Sequence, residues 1–336
     1  MHSISAPQRA SLGRIGTDFR MRLGRRARDH GCCLTFHRGV PTSGWTALPN
    51  RNFYLDLGYL ARLITHLQDI GWDLVTMDEA LCRLTQPGSR RFVNFSIDDG
   101  YRDTAEQVVP LFRRLGAPVT LYVTTGIPDR TLRLRNAGLE TILQQSDQVS
   151  DGDDSFAVCQ PEQKRAVYAE LSARWEARGG DAPYLRFCDR HGFDPDELDE
   201  RHGISWPMLA LLRDDPHVEI GAHTVAHPRI SSLPAQEALA ELTGSRTRLE
   251  QALGTPVHHF AFPYGQAADC GPRDFDLAQQ AGFASASTTC KGLATPDSNL
   301  HRLPRNAING KHRHLAFAHA HLSGAFAVAA RLLRRG

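Results

Sequence analysis

In residues 91–101, RFVNFSIDDGY, a mainly apolar run leads directly into two aspartates, a glycine and a tyrosine. Apolar runs of this length, rich in aromatic and β-branched residues, are typical of a strand buried on both faces of a parallel sheet. Gly100 permits the backbone to turn sharply after the strand. The segment therefore predicts a buried strand that presents Asp98 and Asp99 at its carboxyl end.

The same arrangement, an apolar strand followed at once by polar side chains, occurs three more times. The strands and the residues after them are GCCLTF (31–36) before His37, HVEIGA (217–222) before His223, and HHFAF (258–262) before Pro263 and Tyr264. Further strands are predicted at 118–125, 283–288 and 299–304, and helices at 53–70, 104–116, 234–253 and 273–282. About seven such units favour an α/β barrel of parallel strands over an open sheet.

Residues suited to metal binding gather at the ends of these strands. In a parallel barrel the carboxyl ends converge on one face, so residues far apart in sequence meet there. His223 and His227 are four residues apart, which on a helical turn places both imidazoles on one side. Two imidazoles and a carboxylate, here Asp99, suit a catalytic divalent metal. Asp98 is the candidate base that takes a proton from water.

One long segment, residues 127–204, interrupts the alternation of strands and helices. It is far longer than an ordinary connection between a strand and a helix, and it contains a clear helix pattern from Pro161 to Arg178. We expect a mostly helical inserted subdomain that ends near Ser205, a candidate N-cap for the next helix. The predicted organisation is a basic N-terminal extension (1–30), a barrel (31–310) that carries the insertion, and an amphipathic C-terminal helix (311–336).

Three motifs in this order resemble those of the polysaccharide deacetylase family (carbohydrate esterase family 4, the NodB-homology domain). They are SIDDG (96–100), HTVAH (223–227) and FPYG (262–265). The resemblance implies a distorted (β/α)7 barrel and a divalent metal held by Asp99, His223 and His227. Zn²⁺ is the expected ion, and Co²⁺, Ni²⁺, Mn²⁺ and Fe²⁺ are the alternatives.

The resemblance also implies roles for residues around the metal. Asp98 is the expected base, and the Tyr264 backbone N–H is the expected donor to the oxyanion. Tyr101, Pro263 and Tyr264 are predicted to bind the substrate. The expected reaction is removal of an N-acetyl group from an amino sugar in a polysaccharide or glycan precursor, by a hydrolase of carbon–nitrogen bonds other than peptide bonds.

Two departures from the family pattern involve catalytic positions. The third motif usually has an arginine two residues before the proline, paired with the catalytic aspartate, and Ala261 stands there instead. FAFPYG resembles the branch that acts on poly-N-acetylglucosamine and related exopolysaccharides. We predict that Arg305 replaces the lost charge, the alternative being a surface arginine.

The usual late Leu-x-His motif, which supplies the general acid in the family, is not evident in this sequence. By resemblance to the same branch, His37 fits the role of the general acid. The alternative is that His37 is a buried structural histidine.

Composition excludes some functions and leaves others open. With 39 basic and 37 acidic residues among 336, the net charge of +2 is too balanced to predict nucleic-acid binding. No run of about 18 apolar residues predicts a transmembrane helix. Residues 1–30 hold seven arginines and two aspartates, so contact of the basic termini with a membrane surface stays open. No signal-peptide pattern is found, and we expect a cytoplasmic protein, with membrane association as the alternative.

Two other functions remain compatible with these motifs. One is a deformylase or cyclic-amide hydrolase that uses the same barrel and metal site with a different pocket. The other is a non-catalytic carbohydrate-binding relative. The presence of Asp98, Asp99, His223 and His227 argues against loss of catalysis, and the missing arginine at position 261 is the only feature that favours it.

Overall fold

A computed structural model describes residues 30–45, 48–86, 88 and 90–324. Its strands are β1 (Gly31–Phe36), β2 (Arg38–Val40), β3 (Tyr54–Asp56), β4 (Asp73–Leu74), β5 (Phe92–Ile97), β6 (Val119–Val123), β7 (Gln148–Asp151), β8 (Asp154–Ala157), β9 (Val218–Ala222), β10 (His259–Ala261), β11 (Ser285–Ser287) and β12 (Asn306–Ala307). The main sheet has eight strands in the order β11-β10-β9-β6-β5-β1-β12, with β4 paired to the start of β5. All neighbouring strands in it are parallel, as the repeated strand–helix pattern predicts.

The two edges of this sheet are joined by one short segment, residues 303–307. Leu303 forms a parallel bridge to Ser287 of β11, and its N–H donates to the Ala286 carbonyl at 2.9 Å. A few residues later β12 pairs with β1, with Asn306 opposite Leu34. The sheet therefore curls into a distorted barrel, which confirms the predicted fold class.

Helices surround the barrel. They span Thr42–Trp45, Leu57–Asp69, Met77–Thr85, Val109–Arg114 (after a π-helical turn, Thr104–Val108), Arg135–Gln145, Pro161–Ala177, Asp181–His191, Pro195–His202, Trp206–Arg213, Ala235–Leu253, Pro272–Gln280 and Leu315–Leu322. Leu57–Asp69 shows why they form: the Asp56 side chain accepts from the Tyr59 N–H at the start of the helix. Leu60, Ile64 and Leu67 then recur on one buried face.

The inserted segment forms its own hydrophobic cluster. Its helices from Arg135 to His202 and the β7–β8 hairpin pack around buried side chains that include Leu171, Trp175 and Phe187. The Trp175 ring lies 5.0 Å from the Phe187 ring in an edge-on contact, a favoured aromatic geometry. A separate core explains why this polar stretch folds rather than remaining a long loop.

Three local predictions differ from the structure. Residues 299–304 contain a 3-10 turn, Leu300–Arg302, and the strand follows it at β12. His223 and His227 lie in an irregular loop rather than on a helical turn, because two residues of the loop adopt left-handed backbone conformations that no helix contains. Ser205 occupies the N-cap position but its side chain makes no capping hydrogen bond.

The terminal predictions fall mainly outside the described residues. The basic extension is described only at His30. The C-terminal helix begins at Leu315 and is described through Leu322, where Ala318 and Leu322 pack against the main core. No helix among the described residues is long and apolar enough to span a membrane.

Candidate active site

A carboxylate and two imidazoles meet at the carboxyl ends of β5 and β9. The Nε2 atoms of His223 and His227 lie 3.5 Å and 3.3 Å from Asp99 Oδ1. One ligand atom from each of the three residues can be chosen so that all lie within 4.8 Å of one another. This set of one oxygen and two nitrogen donors matches a catalytic site for a divalent transition metal.

Backbone and carboxylate contacts orient the two imidazoles. His223 Nδ1 lies 2.7 Å from the Ala261 carbonyl oxygen, so Nδ1 carries the proton and Nε2 is left as the ligand atom. Glu241 accepts from the N–H groups of Val225 and Ala226 at 2.8 Å and 2.9 Å. The helix Ala235–Leu253 thus holds the loop that carries both histidines.

Unusual backbone conformations concentrate at this site. Among the described residues, five non-glycine residues have positive φ, and four of them surround the site: Asp99 (78°), Thr224 (69°), His227 (57°) and Tyr264 (59°). Left-handed conformations cost side-chain-bearing residues about 1–2 kcal/mol each. Such strain is typical of functional sites, where the surrounding structure holds the backbone in place.

The electrostatics of the cluster keep Asp99 ionised. Burial alone would raise the pKa of Asp99, but the imidazoles of His223 and His227 outweigh burial and hold the pKa well below its usual range. Burial likewise disfavours protonated His227, and the Asp99 carboxylate overcomes this effect and raises the pKa of that histidine. The site therefore presents an anionic oxygen between two imidazoles.

Asp98, which precedes Asp99 in the sequence, binds Arg305. The guanidinium Nη1 and Nη2 donate to Asp98 Oδ1 and Oδ2 at 2.6 Å and 2.8 Å. Nη1 also donates to the hydroxyls of Ser96 and Thr35 at 3.0 Å and 3.1 Å, and Nε to the Thr288 carbonyl at 3.2 Å. Arg305 is 0% exposed, so the alternative of a surface arginine is wrong.

The pair of Arg305 with Asp98 determines the protonation state of the carboxyl. Burial by itself would raise the pKa of Asp98. The Arg305 guanidinium outweighs the effect of burial and holds the pKa of this carboxyl below its usual value. The carboxylate raises the pKa of Arg305 in turn, against the effect of burial. The carboxyl group of Asp98 is therefore ionised at neutral pH.

Tyr264 and His37 lie on the walls of the same cavity. The Tyr264 ring lies 5.1 Å from the His227 ring and 4.0 Å from the Arg229 guanidinium. No described residue accepts a hydrogen bond from its backbone N–H. The His37 ring stacks against Phe53 at 4.6 Å and is half-buried.

The cavity measures about 630 Å³, within the range of small-molecule sites. Its walls include Asp98, Asp99, His223 and His227, together with Tyr101. Pro263 is buried and is not among the lining residues. Its carbonyl instead accepts from the Gly265 N–H at 2.6 Å within the turn that presents Tyr264.

The inserted subdomain supplies a wall of this cavity that sequence reasoning missed. Its lining residues include Arg133, Arg135, Asn136, Trp175 and Glu176. Nothing in their spacing marks them as part of a site, because they reach it only through the packing of the insertion. The polarity of residues 127–204 shows where the segment is inserted but not which face it turns to the barrel.

The fold and the site define an α/β barrel with a candidate metal centre at the carboxyl ends of its strands. A family model described as polysaccharide deacetylase matches residues 85–285. The chain therefore belongs to the polysaccharide deacetylase family and is a hydrolase that acts on amide bonds. This confirms the resemblance carried by the three motifs.

Solved structures of deacetylases share the fold. The Streptococcus pyogenes deacetylase PplD in complex with acetate is 15% identical, with 84% of this chain and 93% of that chain covered and a TM-score of 0.57. IcaB from Ammonifex degensii is 16% identical, with 87% and 97% covered and a TM-score of 0.56. The BpsB deacetylase domain from Bordetella bronchiseptica is 15% identical, with 83% and 96% covered and a TM-score of 0.53. No curated protein sequence matches the chain significantly.

Proposed function

We propose that this protein is a metal-dependent deacetylase that removes the N-acetyl group of an amino sugar in a polysaccharide or glycan precursor. One observation carries the proposal. An ionised Asp98, paired with buried Arg305, lines the same cavity as the Asp99, His223 and His227 cluster. A base beside a metal-ligand set is the arrangement that amide hydrolysis by water requires.

The residues present fit a divalent metal. Asp99 Oδ1 is buried and accepts no hydrogen bond, which is costly unless another positive partner is bound. We assign Asp99, His223 and His227 as the ligands and Zn²⁺ as the ion, with Co²⁺, Ni²⁺, Mn²⁺ and Fe²⁺ as alternatives. A metal bound there supplies Lewis-acid polarisation of the acyl carbonyl and lowers the pKa of water.

The chain's own residues carry the proton transfers in this proposal. Asp98 accepts the proton of the attacking water, and Arg305 keeps the carboxylate ionised and oriented until then. The Tyr264 N–H donates a hydrogen bond to the oxyanion that develops on the acetyl group. His37 donates a proton to the departing amine of the sugar from its place on the cavity wall. The cytoplasmic location stays a prediction from the sequence.

The test is acetate release from N-acetylated chito-oligosaccharides by the zinc-loaded protein. Asp98→Asn should abolish turnover and leave metal content unchanged, because the carboxylate acts on water and does not ligate the ion. The matched control is Asp274→Asn, since Asp274 is an equally buried carboxylate that accepts from the Gly271 N–H at a helix start, and this variant should retain turnover.

Three results would contradict the proposal. Full activity of Asp98→Asn would remove the assigned base. Loss of bound metal in that variant would show that Asp98 is a ligand instead. Release of formate from an N-formyl substrate, or opening of a cyclic amide, by a protein that releases no acetate from chito-oligosaccharides would assign the barrel to another amide substrate.

A further inference from the structure

A buried arginine follows the proposed general acid directly in sequence. Arg38 is 6% exposed, and its Nε donates to Asp103 Oδ2 at 2.6 Å. Its guanidinium lies between two aromatic rings, 4.5 Å from the centre of Tyr54 and 4.5 Å from that of Tyr101. Stacking and a charge-assisted hydrogen bond together hold the planar group in one orientation. The backbone next to His37 is thereby tied to the segment that follows Asp98 and Asp99.

The inserted subdomain reaches the same arginine with a buried carboxylate. Glu140, in the helix Arg135–Gln145, is 4% exposed. Its Oε1 accepts from the Asn50 N–H at 3.0 Å, and its Oε2 accepts from the Tyr54 hydroxyl. Oε2 also lies 4.0 Å from Arg38 Nη1. We call Arg38, Tyr54, Tyr101, Asp103 and Glu140 the Arg38 network.

The Arg38 network joins two parts of the cavity wall. Arg135 and Asn136 begin the helix that carries Glu140, and both line the cavity. Asp103 lies four residues after Asp99 on the barrel side. A buried charge that loses its partner costs about 3–5 kcal/mol. The insertion therefore cannot shift relative to the barrel loops without breaking these contacts.

We propose that Arg38 and Glu140 are positioning residues that set the inserted subdomain's wall of the cavity against the barrel loops carrying His37 and Asp99. The proposal rests on the proposed deacetylase function for its kinetic test. In this arrangement the insertion contributes to the geometry of the active site, because its residues form one wall of the cavity. Neither residue contacts the reacting groups; each acts through the segment that it holds.

The test variants remove the carboxylate or only its hydroxyl partner. Glu140→Ala should lower kcat about tenfold and raise KM several-fold on N-acetylated chito-oligosaccharides, because a shift of about 1 Å at an active site can cost up to about 100-fold. Tyr54→Phe deletes one donor to Glu140 and should change both constants in the same direction by less. If Glu140→Ala fails to fold, the milder variant Tyr54→Phe still tests the proposal.

Two further variants separate positioning from loss of stability. Glu140→Gln retains an acceptor oxygen and should restore most of kcat and KM. Glu219→Ala is the matched control, because Glu219 is a largely buried carboxylate that accepts from Met77 and Asp78 N–H groups away from this cavity. It should lower the melting temperature and leave KM unchanged, since unfolding of part of the sample reduces apparent kcat alone.

Hydrogen exchange of the same variants gives a readout that needs no substrate. Glu140→Ala should speed exchange in residues 37–40 and 98–104, and Glu219→Ala should not. An unchanged KM and unchanged exchange in Glu140→Ala, or equal changes in Glu219→Ala, would overturn the proposal. If the wild-type protein releases no acetate, the proposed function is wrong. The hydrogen-exchange result alone then shows whether Arg38 and Glu140 position the cavity wall.

Discussion

Arg305 and Asp98 form a two-point ion pair across 207 positions of sequence, with both contacts at or below 2.8 Å. The arginine enters from the segment that closes the barrel between β11 and β12. The resemblance of the third motif predicts an arginine two residues before Pro263, and Ala261 occupies that position. In this chain Arg305 supplies the guanidinium that binds Asp98. The Ala261 carbonyl accepts from His223 Nδ1 and orients that imidazole.

Replacing Arg305 by methionine should reduce activity and stability together. The substitution leaves Asp98 buried without its cation, which costs about 3–5 kcal/mol of unfolding free energy. We expect kcat to fall at least about tenfold, because the base loses its orientation. Steady-state kinetics and chemical denaturation measure the two effects, and bound metal should stay near the wild-type level. Wild-type activity in this variant would show that Arg305 has no catalytic role.

Removal of metal should abolish turnover, and addition of Zn²⁺ should restore it. His227→Ala removes one of three proposed ligands and should lower zinc affinity by about tenfold or more, since catalytic sites use three protein ligands. Isothermal titration of metal-free protein measures the affinity. The control is His301→Ala, because His301 lies away from the cavity and contacts the Phe283 carbonyl. Equal affinities in the two variants would exclude the assigned ligand set.

Tyr264→Gly tests whether the backbone or the side chain of Tyr264 takes part in the reaction. Glycine keeps the N–H and adopts the positive φ of 59° without steric cost. We therefore expect kcat within about threefold of wild type, a higher KM from loss of the exposed ring, and stability gained by up to about 1 kcal/mol. A 100-fold loss of kcat would instead assign the chemistry to the phenol or its ring.

The opposite end of the barrel contains a histidine that should make stability depend on pH. Burial disfavours protonated His259, but Asp78 Oδ1 at 3.0 Å and Glu219 Oε1 at 3.5 Å overcome this effect and raise its pKa to about 9. A pKa raised by folding stabilises the folded state below the unfolded value, near 6.5, and this contribution disappears as the pH rises through about 9.

His259→Gln should therefore destabilise the protein at pH 6 and have a smaller effect at pH 10. The expected difference at low pH is about 2 kcal/mol, the scale of a charge-assisted hydrogen bond. Urea denaturation of wild type and His259→Gln at pH 6 and pH 10 measures this difference in unfolding free energy. Because both proteins are compared at the same pH, the contributions of other titrating groups cancel. A difference that is the same at pH 6 and pH 10 would show that His259 is neutral in the folded protein.

The local pattern of the sequence was enough to predict the class of fold and the identity of the central residues. Apolar strands followed by polar residues placed Asp98, Asp99 and His223 at strand ends, because the length of an apolar run and the residues that end it are local properties of the sequence. Helix boundaries such as Leu57–Asp69 and Ala235–Leu253 lie within a few residues of the predicted ranges. The spacing of His223 and His227 suggested a helical turn, which the left-handed backbone of this loop excludes.

The orientation of these residues and the groups that surround them depend on contacts between distant parts of the chain. The contact of Arg305 with Asp98 depends on barrel closure, and the wall containing Arg135 and Trp175 depends on how the insertion packs. Such contacts join residues far apart in the chain, and no local periodicity encodes them. The local sequence pattern is therefore sufficient to predict which chemical groups lie at the strand ends. Their pairing, protonation and enclosure follow from long-range packing, which sets distances and burial.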